Sequence, residues 1–294
     1  MPYNTILTEK REGLGIISLN RPDRLNAVNL AMLQEVLHAL GVLETDREVQ
    51  VVCITGTGSR AFSAGLELAS LAGMEPLASQ RLTRNGQALI GRIEGLGKPT
   101  VAVVNGMALG AGFELVLACD LAVAVPEASF GFPEVRVGLI PAWGGTRRLS
   151  AIVGRRRVRE MVLTSELMTA EQALQAGVIN AVAPAGELLD RVMQWKERMG
   201  RGGRVALWQA RKLLGREGEM TQAAAQDYAA ECLASCFATP EFAERLKAYM
   251  QRVGTPGASP AAASSGPDPG KGAVGGEEPQ RQAGKGPSAD EFFE

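Results

Sequence analysis

The sequence predicts an α/β fold of repeated strand–strand–helix units, continued by a helical region and closed by a disordered tail. Three observations carry this. Short β-rich apolar runs alternate with longer amphipathic stretches through the first half of the chain, the pattern of an α/β core. From about Ala170 onward the pattern is mainly helical. After Val253 the composition breaks: residues 254–290 are rich in Gly, Pro, Ala and Ser, with almost no large apolar residue. Such a segment buries too little surface to offset its ordering entropy. The expected divisions are 1–169 for the core with the site, 170–253 for the helical region and 254–294 for the tail.

The elements follow in chain order. Thr5 to Glu9 and Gly15 to Leu19 read as paired strands about a Glu12-Gly13 turn. Leu30 to Leu43 has the periodicity of an amphipathic helix. Val51 to Thr55 is a short β-rich run, the mark of a buried strand ending at Gly56. Residues 78–95 return to helical spacing, and Val101 to Val104 make another strand.

Composition narrows the function. With 294 residues and 46% hydrophobic content, the chain has ample material for a buried core, as one large domain or two small ones. No run is long and apolar enough to span a bilayer. A formal net charge of −1 gives no broad attraction to nucleic acid or an anionic membrane. The opening Met-Pro-Tyr-Asn-Thr-Ile lacks a basic-then-apolar signal, so a cytoplasmic location is expected. Of the four cysteines, Cys53 and Cys119 lie in apolar runs and read as core. Cys232 and Cys236 are four apart in a helical pattern, but no histidine or second cysteine pair completes a metal set. The only histidine, His38, falls in the Leu30 to Leu43 stretch, which argues against a histidine base or metal ligand. The arginines Arg155, Arg156, Arg157 and Arg159 read as a charged helix face. No P-loop or dinucleotide fingerprint is visible.

Two glutamates stand out. Glu114 ends the apolar, glycine-rich stretch Asn105-Gly-Met-Ala-Leu-Gly-Ala-Gly-Phe-Glu114. Glu134 ends Phe130-Gly-Phe-Pro-Glu134, with Gly144-Gly-Thr ten residues further on. A carboxylate in apolar surroundings is costly unless it is paired or used, because desolvation penalises the charged form. Two of them converging on one cleft make an acid/base pair with pKa values moved toward neutrality.

Five blocks around these residues resemble the enoyl-CoA hydratase/isomerase (crotonase) family, closest to its hydratases. In order they are Asn20-Arg-Pro-Asp-Arg-Leu-Asn26-Ala-Val-Asn29, Arg60-Ala-Phe-Ser-Ala-Gly65-Leu-Glu-Leu, and Lys98-Pro-Thr-Val-Ala-Val-Val-Asn-Gly106-Met-Ala-Leu-Gly110. The fourth runs from Phe130 through Ile140-Pro-Ala-Trp-Gly144-Gly-Thr-Arg-Arg-Leu149, and the last from Met161 to Gly177. The resemblance implies a crotonase-like spiral of ββα units, and a C-terminal helical region that forms a homotrimer or dimer of trimers. It implies addition of water to the α,β-double bond of an acyl-CoA thioester, with coenzyme A as part of the substrate and no separate cofactor. Glu114 is then expected to activate water and Glu134 to exchange the proton at the α-carbon. The backbone N–H groups of Leu66 and Ala111 are expected to form the oxyanion hole. Coenzyme A contacts are expected from Asn26, Ala27, Ala64, Gly65, Leu66, Glu67, Leu68 and Gly110, and no metal. Where family members often carry Gly-x-Asp-Leu-Lys, this chain has Gly65-Leu-Glu67-Leu-Ala69, without the lysine. Two alternatives stay open: an isomerase or other acyl-CoA lyase or hydrolase of the same fold, and a non-catalytic CoA-ester-binding or scaffold protein.

Overall fold

A computed structural model describes residues 3–216, 218 and 220–253. The expectation placed on 254–294, a disordered tail, lies outside the described residues. The chain divides into two compact units, the first ending at Arg201 and the second beginning at Gly202.

The first unit opens with β1 (Ile6–Arg11) and β2 (Leu14–Leu19), joined at Glu12 and Gly13. Both turn residues have positive φ, 48° and 83°, the backbone that lets a two-residue turn match the strand twist. The pairing therefore runs to Arg11 opposite Leu14, two residues beyond the strand end expected from hydropathy. Next comes α1 (Leu30–Thr45), started by Asn29, whose side chain accepts from the amide of Met32 at 2.9 Å. Its buried residues Met32, Leu33, Val36, Ala39, Leu40 and Leu43 follow the spacing of one helical face.

Three strand pairs with helices follow. They are β3 (Val51–Gly56) and β4 (Ala61–Ser63) with α2 (Pro76–Glu94), then β5 (Thr100–Val104) and β6 (Met107–Leu109) with α3 (Ala111–Ala118). The third is β7 (Leu121–Ala124) and β8 (Ser129–Gly131) with α4 (Gly145–Val153). Each pair splits between two sheets. β3, β5 and β7 lie in a six-stranded sheet that ends at β10 (Ala181–Val182), of order β1-β2-β3-β5-β7-β10 and parallel apart from the β1/β2 hairpin. β4, β6 and β8 lie in a four-stranded sheet that ends at β9 (Met168–Thr169), of order β4-β6-β8-β9. Each strand–strand–helix unit is thus one turn of a spiral. β5, Thr-Val-Ala-Val-Val, is buried along its whole length, as a central parallel strand must be.

The first unit continues with α5 (Arg155–Thr164), β9 (Met168–Thr169), α6 (Ala170–Gln175), β10 (Ala181–Val182) and α7 (Leu188–Gly200). A reciprocal capping box between Thr169 and Gln172 starts α6. Arg157 on α5 pairs with Glu160 and Glu166, consistent with a solvated charged face. The second unit holds α8 (Arg204–Leu214), α9 (Gln222–Phe237) and α10 (Pro240–Val253). Within it α8 packs on α9, where Lys212 of α8 lies 5.8 Å from the ring centre of Tyr228 on α9. Among the described residues no helix is long and apolar enough to cross a membrane.

Candidate active site

Both glutamates stand at the start of spiral elements where the chain must turn sharply. Gly110 is the N-cap of α3, with φ 50° and ψ −123°, a conformation that only glycine adopts without strain. Glu114 follows one helical turn later, and its amide closes that turn onto the Gly110 carbonyl at 2.9 Å. Glu134 begins a 3-10 turn, Glu134–Val137, directly after Pro133. A Cβ at Gly110 would sit 2.6 Å from Glu134 Oε1. The Glu134 carboxyl therefore lies on the first turn of the helix that carries Glu114.

The two carboxyls are held differently. Glu114 is 1% exposed, and its Oε1 accepts from the amides of Trp143 and Gly145, both at 2.8 Å. Glu134 Oε2 is buried and has no hydrogen-bond partner among the described residues. The apolar wall behind them is Phe113, Phe130 and Phe132, with Phe113 ring centres 5.5 and 5.0 Å from the other two.

Burial sets both acidities. Burial raises the pKa of Glu114, while the two amides and the charge of Arg148 pull it back. Burial likewise pushes Glu134 up, to about 7, against a hydrogen bond from its own amide, and the charge of Glu114 adds to the rise. The pair is electrostatically coupled, with Glu134 the one poised to hold a proton near neutrality.

The expected N–H donors are also neighbours. Gly65 has φ 96°, and a Cβ there would lie 2.9 Å from the Leu109 carbonyl oxygen and 3.5 Å from the Ala111 nitrogen. The Gly65-Leu66 turn thus runs against the start of α3. Its single parallel bridge to Val28 uses the amides of Val28 and Glu67, so Leu66 N–H takes no part in that pairing. Ala111 is the first residue of α3, where an N–H has no partner inside the helix.

The residues expected around coenzyme A form one contiguous wall but carry unequal freedom. Asn26 is 1% exposed and fully engaged. Its Oδ1 accepts from the Arg21 amide, its Nδ2 donates to the Thr57 and Ala61 carbonyls, and its own carbonyl accepts from Ser63 Oγ. Glu67 accepts from Arg21 at 2.6 Å, and that arginine holds its carboxyl below the usual range. Arg21 also donates to the Ala27 carbonyl at 2.8 Å. Ala64 donates to Leu25, while Leu68 is exposed. Sequence reasoning missed the Trp143 and Gly145 amides that hold Glu114. The only sign of them was the Gly144-Gly145 pair, which lets a chain pass close to a buried carboxylate.

His38 Nδ1 pairs with the Tyr3 hydroxyl at 2.8 Å, far along the chain from either glutamate. Among the described residues no group of three or more His, Cys, Asp or Glu side chains is placed to hold a metal ion.

The Glu114 and Glu134 carboxyls thus lie beside the Gly65-Leu66 turn and the start of α3, at one turn of the spiral. Comparison with known proteins identifies the family. Residues 9–255 match the model of the family described as Enoyl-CoA hydratase/isomerase. Crotonyl-CoA hydratase of Syntrophomonas wolfei is 34% identical over 253 residues, 86% of this chain and 97% of its own. The 2,3-dehydroadipyl-CoA hydratase of Escherichia coli is 35% identical over 247 residues, 84% of this chain and 96% of its own. The crystal structure of an enoyl-CoA hydratase from Bacillus anthracis superposes with a TM-score of 0.79 at 28% identity, covering 84% of this chain and 96% of that one. The chain belongs to the enoyl-CoA hydratase/isomerase family.

Proposed function

We propose that this protein is an enoyl-CoA hydratase, in which Glu114 and Glu134 work as an acid/base pair. The observation that carries the reading is their unequal tethering on one helix turn. Glu114 is fixed by two amides, and Glu134 keeps a buried oxygen without a partner.

In the hydration direction the Glu114 carboxylate takes a proton from water while the water oxygen bonds to the β-carbon. The electron pair of the double bond moves toward the thioester, and negative charge gathers on its oxygen. The N–H groups of Leu66 and Ala111 donate to that oxygen; such preorganised donors are typically worth several kcal/mol in the transition state. The Glu134 carboxyl then gives its proton to the α-carbon and the thioester carbonyl re-forms. The chemistry requires no group beyond the coenzyme A of the substrate.

Ala27, Ala64, Gly65, Leu66, Glu67, Leu68 and Gly110 form the wall along which the thioester and its pantetheine lie. Asn26 holds that wall from behind, since its polar atoms are engaged. Assembly as a homotrimer or dimer of trimers, and a cytoplasmic location, accompany this reading.

Incubation with crotonyl-CoA, following loss of the conjugated-thioester absorbance, tests it. Steady loss is the expected result. An isomerase would instead act on a 3-enoyl-CoA, raising that absorbance, and a scaffold would do neither.

A further inference from the structure

α2 holds the loop that cages Glu114, through three contacts. The Trp143 indole lies directly on Gly86, so that a Cβ at Gly86 would fall within the ring. Gln87 Nε2 donates to the Ala142 carbonyl at 2.8 Å. Glu94, near the end of α2, pairs with Arg148 by two bonds of 2.6 and 2.8 Å, and Arg148 Nη1 donates to the Trp143 carbonyl at 3.0 Å. The same Trp143 presents its amide to Glu114 Oε1.

We infer that Gly86 and Trp143 are positioning residues for Glu114: the indole seated on the bare helix backbone at Gly86 fixes the amides that orient the Glu114 carboxylate. Helical propensity does not explain this glycine, because glycine inside a helix costs about 1 kcal/mol relative to alanine. Gly86 is buried, whereas Gly91 on the same helix has nothing within 4 Å of a Cβ and is an ordinary tolerated glycine. The seat at Gly86 is occupied by one side chain, and that residue's amide reaches the acid. The inference rests on the hydratase reading only where turnover is the readout.

The charged groups around Glu114 are few. β4, β5 and β6 contain no ionisable side chain. α4 supplies Arg148, with Arg147 exposed beside it, and the turn after β8 supplies Glu134. On α2, Arg81 and Arg84 are exposed, Arg92 pairs with Glu44, and Glu94 pairs with Arg148. A shift in Glu114 on altering Gly86 therefore reports the Trp143 loop, that is its amide donors together with the Arg148 that the Trp143 carbonyl holds.

The test is the titration of Glu114 by carbon NMR of glutamate-labelled protein, assigned with Glu114→Gln, beside turnover of crotonyl-CoA. In Gly86→Ala the displaced indole draws the amides away. The Glu114 pKa rises, the acidic limb of kcat moves to higher pH, and kcat falls at least tenfold with KM little changed. Gly91→Ala changes none of these. In a Trp143→Ala background, adding Gly86→Ala causes no further change, because the clash is gone. Should Gly86→Ala fail to fold, Gln87→Ala removes one tether at an exposed position and gives a smaller rise in the same pKa. An unchanged Glu114 titration in Gly86→Ala, or in Gln87→Ala when the first does not fold, overturns the inference. So does an undiminished further effect of Gly86→Ala in the Trp143→Ala background. Inactivity of the wild type toward enoyl-CoA sinks the hydratase reading alone, since the titration still decides the positioning role.

Discussion

A Glu134 carboxyl pushed from 4.5 to about 7 is a group that folding prefers protonated. Below the unfolded value it is protonated in both states and contributes its full share of stability. As pH rises through about 7, the native state must ionise a buried acid and that share is lost. The shift corresponds to roughly 3 kcal/mol. Glu134→Gln is therefore expected to raise the melting temperature at pH 8 and leave it nearly unchanged at pH 4, as read by calorimetry. An equal change at both pH values would mean that the acid is not strained by burial. Gly110→Ala is expected to act on the same carboxyl from below. It places a Cβ 2.6 Å from Glu134 Oε1 and forces φ 50° on an L-residue. Loss of turnover by two orders of magnitude or more, with measurable destabilisation, is the outcome to look for.

At the scale of elements, β1, β2, β3, β5 and α1 are legible because hydropathy and one polar cap determine them. The Leu30 start follows from Asn29, and the burial of β5 follows from an unbroken apolar run. The two glutamates are legible because acids seldom sit among phenylalanines and glycines without a use. Contacts between distant segments are not legible. The Trp143 amide on Glu114 joins positions 29 apart, and Asn26 ties its loop to Ala61, 35 residues on. Neither leaves a periodic trace, since each depends on how the spiral brings its turns together. Asn26 also has φ 55°, a backbone that asparagine tolerates better than most residues. Asn26→Ala removes the side-chain partner of the part-buried Arg21 amide and leaves the Ala61 carbonyl to Asn105 alone, with an expected cost of about 1–3 kcal/mol in urea unfolding. A loss under about 0.5 kcal/mol would show that these loops do not depend on it.

At the scale of the molecule, the second unit leaves large apolar side chains exposed, among them Leu214, Leu233, Phe237 and Met250. Exposed apolar side chains of this kind mark surfaces for a partner, and the proposed assembly of three or six copies would cover them. Light scattering at micromolar concentration is expected to give the mass of three or six chains, and a monomeric mass would contradict it. Ending the chain at Val253 is expected to leave both that mass and turnover unchanged, because residues 254–290 carry almost no large apolar side chain. The central claim is that hydration depends on both buried acids. Single-turnover kinetics with crotonyl-CoA on Glu114→Gln and Glu134→Gln, beside direct binding of a saturated acyl-CoA, address it most directly. Each variant is expected to lose about 10²–10⁴-fold in rate while binding the acyl-CoA as the wild type does. A near wild-type rate in either variant would contradict the paired-acid account.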